Sequence, residues 1–503
     1  MSRINTNVQS ILAQRVLGQN NQGLAGSLER LSTGLRINRG KDDPAGLIAS
    51  QNLRAEKSAL GAAIKNAERA DQVANIAEGG LNEVSGLLTE LQGLLTTTAN
   101  DAGLSTEEKA ANQLQIDSIL QTIDRVAAST SFQGKKLLNG NLNYTTTGID
   151  AEVSNFKVNG AKLGFGETRD VDVLVTQSAQ VGGLAMQFSG TALDLTNADS
   201  TFTIEVAGNE GSRELSFSSG TTLATIASTI NSFTDVTGVI ATASGNDIKL
   251  VSSEYGSDQF VSLKVIDDGG AAGAGVDQLA AADTNALAGS PVAFNTLGNG
   301  TTDFGQDVRA TINGIAATTK GTNVAINTDF LDVSIDLSDT GATTLGVVNA
   351  FTIEGGGGDF QLGGRVDIAG KVSLGISNVA VREIGLVEDS GNSYSLADIG
   401  SGKALNVEDG DLSVAQDAVD RAIKDVNSLR GRLGAFQQNT VGATIRSLGV
   451  SFENTTAAES AIRDTDFAAE TAALTRNQIL SQSATQILTI ANSQPQNALS
   501  LLG

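Results

Sequence analysis

Cysteine and histidine are both missing from the 503 residues, and so is tryptophan. Without cysteine there are no disulfides, zinc-thiolate sites or thiol nucleophiles, and without histidine the commonest acid/base and metal-binding side chain is gone. Most hydrolytic chemistry is excluded on composition alone. Proline is nearly absent too, at Pro44, Pro291 and Pro495 only. No apolar run approaches the roughly 18 to 20 residues that span a bilayer, and the opening MSRINTNVQS lacks a signal-peptide hydrophobic region. These rules predict no membrane insertion and a cytosolic chain. Positive charge is scarce, with Lys+Arg at 33 against Asp+Glu at 56 and a formal net charge of -23. That balance disfavours nucleic acid and anionic membrane surfaces as partners. The length predicts about three or four domains rather than one core.

What the chain does have is helical periodicity at both ends. Ile4, Val8, Ile11, Leu12 and Val16 lead into Leu24, Leu28, Leu31 and Leu35, whose steps of four, three and four are the 3.5-residue repeat of a helix laid on a partner. This first helix is expected from Ile4 to about Arg39. With five Arg against Glu29 its net charge is +4, so an acidic apolar partner is expected. The rhythm fails at Asn38 to Lys41. Asp43 then offers an N-cap and Pro44 a first-turn residue, starting a second helix that runs to about Thr98. Its later part carries a bundle seam of Leu81, Val84, Leu88, Leu91 and Leu95. Ser105 to Glu108 makes a capping box for a third helix bearing Ile116, Ile119, Ile123 and Val126.

From about Asn141 the pattern changes to alternation, as in FKVNGAKL, DVDVLV and TFTIEV, which predicts strands. Between Asn141 and Lys403 there are 12 Lys+Arg against 31 Asp+Glu, so this region holds most of the negative charge and reads as a solvated outer surface. Thr221 to Phe233 predicts a short helix between strands. Asp267 to Gly289, rich in Ala, Gly and Asp, reads as a linker, and a second β unit is expected from about Thr301 to Leu386.

Helical spacing returns at Ser413, where SVAQ predicts a capping box, and Val426, Leu429 and Leu433 continue the bundle seam. After a break at Phe452 to Thr456, a last helix to about Ala491 is expected. Leu474, Leu480, Ala484, Ile487, Leu488 and Ala491 supply its apolar positions, and Leu501 lies beyond. Its charges total -3, opposite in sign to the first helix, so the two ends are expected to pair with each other and then with neighbouring copies.

The strings LSTGLRIN and KDDPAGL, then IDRVAASTSFQGKKLLNG, and finally RDTDFAAETAALTRNQILSQSATQILTIANSQPQNALSLLG resemble the terminal signatures of bacterial flagellin, the flagellar filament subunit. Roughly 140 residues at the start and 90 at the end carry the likeness, which departs from it in ending on Gly503. The unit around Thr221 to Phe233 resembles a small module inserted in many flagellins. The resemblance implies export of the unfolded chain through the flagellar apparatus to the outside, which overrides the cytosolic expectation. It also implies homopolymerisation, an export chaperone on the C-terminal segment, and contacts with filament cap and hook-filament junction proteins. In relatives detected by the mammalian Toll-like flagellin receptor, the second helix carries LQRVREL. Here Leu88 to Leu94 reads LTELQGL, with Glu90 in place of an Arg and Gly93 in place of an acid, and a poor receptor ligand is expected.

Two other clusters are weighed against plainer readings. Gly355 to Gly358 lacks the Lys-Ser/Thr and strand-loop-helix setting of a phosphate cradle and reads as a β-turn or loop. Asp464, Asp466 and Glu470 suit the positive end of a helix without any metal. The metalloprotease insert of some flagellins needs histidines that this chain lacks. No catalytic residue, metal or cofactor is assigned, and no enzyme activity is expected. The expected fold is α+β and multidomain: a terminal antiparallel helical hairpin or coiled coil, a helical bundle, and central β-rich outer domains. The boundaries are 1–40 and 453–503 for the inner helices, 41–188 and 405–452 for the bundle, and 189–289 and 290–404 for the outer domains. Removing about Thr191 to Leu386 is expected to thin a filament without abolishing it. The alternatives are a hook-associated or junction protein, and an acidic β-rich adhesin, which would need a signal peptide.

Overall fold

The computed structural model describes all residues except 1–5, 101–102, 165, 197–198, 281–282, 288, 390–391 and 501–503. Ile4 and Leu501 therefore lie outside the described residues. The helices are α1 (Val8–Thr33), α2 (Pro44–Thr98), α3 (Thr106–Ser129), α4 (Leu223–Asn231), α5 (Thr234–Thr237), α6 (Asp339–Thr343), α7 (Leu412–Ala435), α8 (Gly442–Arg463) and α9 (Phe467–Ser500). The chain separates into one unit of Met1–Asn75, Phe360–Lys371 and Arg432–Gly503, and a second of Ile76–Asp359 and Val372–Gly431.

In the first unit, α1 stops earlier than its apolar spacing predicted. Gly34 takes a left-handed conformation at φ 73° and closes the helix through its amide on the Arg30 carbonyl, a stop that costs a residue without Cβ little. Leu35 is thus not helical, and instead bridges Asp464. The Arg36 amide donates to the Arg463 carbonyl at 2.7 Å and the Thr465 amide to the Gly34 carbonyl at 3.0 Å. The turn that follows is held by Asp42, whose carboxylate accepts the Arg39 amide at 2.8 Å and the Asn38 amide at 3.2 Å. Those amides hold its carboxyl below the ordinary aspartate range. Asp43 accepts the Gly46 amide at 2.9 Å, as the expected cap of α2.

The break expected at Phe452 to Thr456 is not there. Helix α8 runs straight through it, because Phe452 packs near Gly61 and the Lys57 ammonium sits 5.9 Å from its ring centre while pairing with Glu459 at 3.2 Å. The chain breaks instead at Asp464 to Asp466, between α8 and α9.

In the second unit Leu81, Val84, Leu88, Leu91, Leu95, Val426 and Leu429, the residues of the expected seam, are all buried. Arg430 pairs with Glu78 at 3.1 Å, and Gln92 donates to Asp420 at 2.6 Å. Leu433, at the edge of the first unit, is buried as well. The capping box of α3 forms, Ser105 with Glu108. Helix α7 is capped by Asp411 rather than by Ser413. The Asp411 carboxylate accepts the Ser413 hydroxyl and amide, both at 2.9 Å, and the hydroxyl bond is the first cause of its lowered pKa. Asp411 directly precedes Leu412, the first helical residue, so its carboxylate and not the Ser413 hydroxyl stands at the N-cap.

Two β cores fill the rest. One buries residues from Leu184 to Leu297 between a five-stranded and a four-stranded antiparallel sheet, with Leu223, Ile226 and Ile230 of α4 against it. The predicted linker contributes two of those strands, Gly273–Ala280 and Asp283–Leu287. The first of them pairs antiparallel with Gly183–Phe188, with a register shift between Gly273 and Gly275, and a Cβ on Gly273 would lie 2.3 Å from the Gln187 carbonyl oxygen, so the glycine there reflects close strand approach rather than looseness.

The other core departs from the boundaries set by composition. It joins Tyr144 through Ala179 to Val308 through Ile353, because the strand Arg169–Gln177 pairs on one side with Arg309–Ile312 and on the other with Gly346–Gly356. Residues 144–179, assigned to the bundle by composition, thus share this second β core, and the first β unit extends past 289 to the strand Thr301–Phe304, which pairs with Phe260–Leu263. In the Gly355 to Gly358 run one strand ends at Gly356 and the next begins at Gly358, with a bend at Gly357 between them; a Cβ on Gly356 would lie 2.4 Å from the Asn143 carbonyl oxygen, so the close approach needs glycine.

The module leaves and re-enters side by side, with Gln180 and Gln306 exchanging backbone hydrogen bonds at 2.8 and 2.9 Å. Next to that exit, Asp307 accepts the Ser257 amide at 2.8 Å and its hydroxyl at 2.7 Å from the module, and the Gly321 amide at 2.8 Å from the other core.

Candidate assembly interface

Helices α1 and α9 pack together as an antiparallel hairpin. The positions of α1 turned inward are Ser10, Ala13, Leu17, Asn20, Leu24, Ser27 and Leu31, and those of α9 are Leu474, Asn477, Ser481, Ala484, Leu488 and Ala491. Both sets advance by alternating threes and fours, a heptad seam. Its content is unusual: leucines alternate with serine, alanine and asparagine. Polar groups close the contact. Asn7 donates to the Ala491 carbonyl at 2.7 Å, the Ser10 hydroxyl to Asn492 at 2.7 Å, Asn20 to the Leu480 carbonyl at 3.2 Å and Ser481 to Asn21 at 2.8 Å. Charge complementarity between the ends is present in Arg30 and Glu470, 3.6 Å apart.

Only some of the larger apolar side chains expected in this core point inward. Leu24, Leu31, Leu474 and Leu488 are part of the seam. Val8 is 64% exposed and Ile487 57%, and Ile11, Leu28 and Leu480 are exposed likewise. Leu12, Val16, Ile479 and Ile490 join them. A spacing rule could not separate the two faces, because both strips recur at helical intervals. The distinguishing signal was the small residues, which permit close helix approach and were read as filler.

On α2, Glu90 and Gly93 are exposed, while Leu88 and Leu91 beside them are buried. The altered stretch therefore changes a surface and leaves the seam intact. Among the described residues no group of His, Cys, Asp or Glu is placed to hold a metal ion. No described helix is long and apolar enough to cross a membrane.

Comparison with known families places these features. Residues 4–143 match the bacterial flagellin N-terminal helical region, residues 416–502 the bacterial flagellin C-terminal helical region, and residues 201–254 the flagellin hook IN motif. Polar flagellin B/D of Vibrio parahaemolyticus is 28% identical over 502 residues, covering 99% of each chain. Polar flagellin A of the same organism is 29% identical over 506 residues with the same coverage. Flagellin B of Helicobacter pylori is 27% identical over 530 residues, again covering 99% of each.

Proposed function

This chain belongs to the bacterial flagellin family and is a subunit of the flagellar filament used in motility, and on that premise we propose that its terminal hairpin uses two faces for two tasks. The seam, leucines alternating with small and polar residues, holds α1 to α9 within one subunit. The outward strip, Val8, Ile11 and Leu28 on one helix and Leu480 and Ile487 on the other, is buried only against neighbouring copies. The observation that supports this is the division of the hairpin, whose seam alternates leucines with small and polar side chains while Val8, Ile11, Leu28, Leu480 and Ile487 stand in water, an arrangement unfavourable for a lone molecule.

The buried leucines of α2 and α7 then form the bundle that carries the two β cores as outer domains. The subunit leaves the cell by the flagellar export apparatus, protected by a chaperone on its C-terminal segment, and functions outside it. It meets junction proteins at the hook and a cap at the far end, and it performs no catalysis, as befits a structural family and a chain without histidine or cysteine. The test is truncation: subunits lacking residues 1–39 or 467–503 should keep folded outer domains and lose polymerisation. Normal filaments from either truncated subunit would overturn the reading.

A further inference from the structure

In the first unit, Phe360–Lys371 forms a loop with a firmly tied base. The Leu362 and Gly363 amides donate to the Gly370 carbonyl at 2.8 and 2.9 Å. Asp367 accepts the Gly370 amide at 2.6 Å, and the Gln361 carboxamide donates to the Arg365 carbonyl. Leu362 is buried, and the Phe360 ring lies 5.9 Å from that of Phe436. From this base Val366 stands 97% exposed, with Ile368 exposed beside it. An apolar tip on a fixed loop, with a cation on one side at Arg365 and a carboxylate on the other at Asp367, has the form of a knob awaiting a socket.

A socket of matching chemistry lies in the second unit. A pocket of about 490 Å³ has Ala127, Ala128, Ala380 and Val381 along its apolar side, Asn139 and Asn378 along its polar side, and Asp124 and Arg382 as its charged members. Asp124 accepts the Val381 amide at 3.0 Å, which fixes its carboxylate beside the apolar wall. Arg382 is largely exposed, its guanidinium 3.4 Å from Glu383.

We propose that Val366 of one subunit seats in this pocket of a neighbouring copy, with Arg365 facing Asp124 and Asp367 facing Arg382. Apolar tip meets apolar wall, and each charge meets its opposite. Knob and socket are different patches of one chain, so every copy offers both and the contact is heterologous, the kind an open helical polymer requires. The proposal rests on the filament reading and adds which surfaces of two copies meet.

The absence of cysteine makes the test direct. Val366→Cys combined with Ala128→Cys, grown into filaments and mildly oxidised, should give a ladder of covalent multimers on a denaturing gel. Neither single variant nor the unassembled subunit should do so. Filaments of ordinary length without a ladder would overturn the seating. Val366→Asp, at a position outside the folded core, is the second measurement. It should slow elongation about tenfold or more at unchanged helicity, since a carboxylate must then enter an apolar pocket. Unchanged elongation overturns the proposal however the cysteine pair behaves. Failure of the unmodified chain to polymerise would fall on the filament reading instead, so the two failures are separable.

Discussion

The Asn477 carboxamide donates to the Ser27 hydroxyl at 3.3 Å, joining two helices 450 positions apart in the chain. A buried polar pair of this kind fixes register at some cost in stability. The two faces of the hairpin should therefore respond differently to substitution. Ala13, buried in the seam, changed to Glu should open the hairpin by burying an unpaired charge, at a cost on the order of 2 kcal/mol or more. Ile487→Ser, on the outer face, should leave monomer stability within about 0.5 kcal/mol and still abolish filament growth. Urea titration of the monomer alongside sedimentation of polymer checks both. Equal effects of the two changes on the monomer would remove the distinction between faces.

Acid should loosen two turns before it unfolds the cores. Asp42 and Asp411 both have folded pKa values below the ordinary 3.8. A depressed carboxyl contributes stability that is present above its unfolded value and lost as pH falls through the folded one. The contribution should thus be complete above about pH 5 and fade from near 3.8 downward. The protection of the Asn38, Arg39 and Ser413 amides, taken as the intrinsic exchange rate at each pH divided by the measured one, should fall between pH 6 and pH 3. Asp42→Asn should remove the fall at the first two, and protection independent of pH in the unmodified chain would contradict the assignment.

Deletion of the outer module has a defined place to cut. Gln180 and Gln306 already bond to each other, so a short turn joining them should remove the module and leave the second core whole. Filaments of this variant should form and be thinner in negative stain. A cut from 191 to 386, which composition recommends, would strip the strand Arg169–Gln177 of both partners and expose Val171, Val173 and Val175, all now buried. That variant should aggregate. Soluble protein from the longer deletion and none from the shorter would reverse the boundaries proposed here.

Receptor recognition is a surface question at Glu90. The exposed carboxylate should repel a receptor site shaped for a cation, and like-charge juxtaposition costs on the order of several kcal/mol. Purified monomer should signal weakly through the mammalian Toll-like receptor, and Glu90→Arg should raise the signal without altering thermal stability. Strong signalling by the unmodified subunit would refute it.

Much of the helical architecture was legible because the causes are local. Asp43 with Pro44, the Ser105 box and the leucines from Leu81 to Leu95 act within a few turns. Helix α1 ended early for an equally local reason, Gly34, which the apolar rhythm running on to Leu35 concealed. The β boundaries were not legible, since the partners of Arg169–Gln177 lie more than 130 residues away and nothing in its alternation names them. The hairpin was half legible: spacing identified the helices, whereas which strip faces inward depends on the close fit of Ser10, Ala13 and Ala484 to a partner helix.

The bond from Asn7 to the Ala491 carbonyl spans 484 positions, which gives the hairpin a place in time as well as in space. Closing so long a loop carries an entropy cost that no contact repays until both ends are at hand. Whichever end of the chain emerges first has to wait for nearly every other residue to follow. The two β cores and the bundle, whose partners are nearer in sequence, can settle in the interval. The hairpin is therefore the last part of the subunit able to form, and the apolar strip it carries reaches its final shape when the rest of the molecule is already in place.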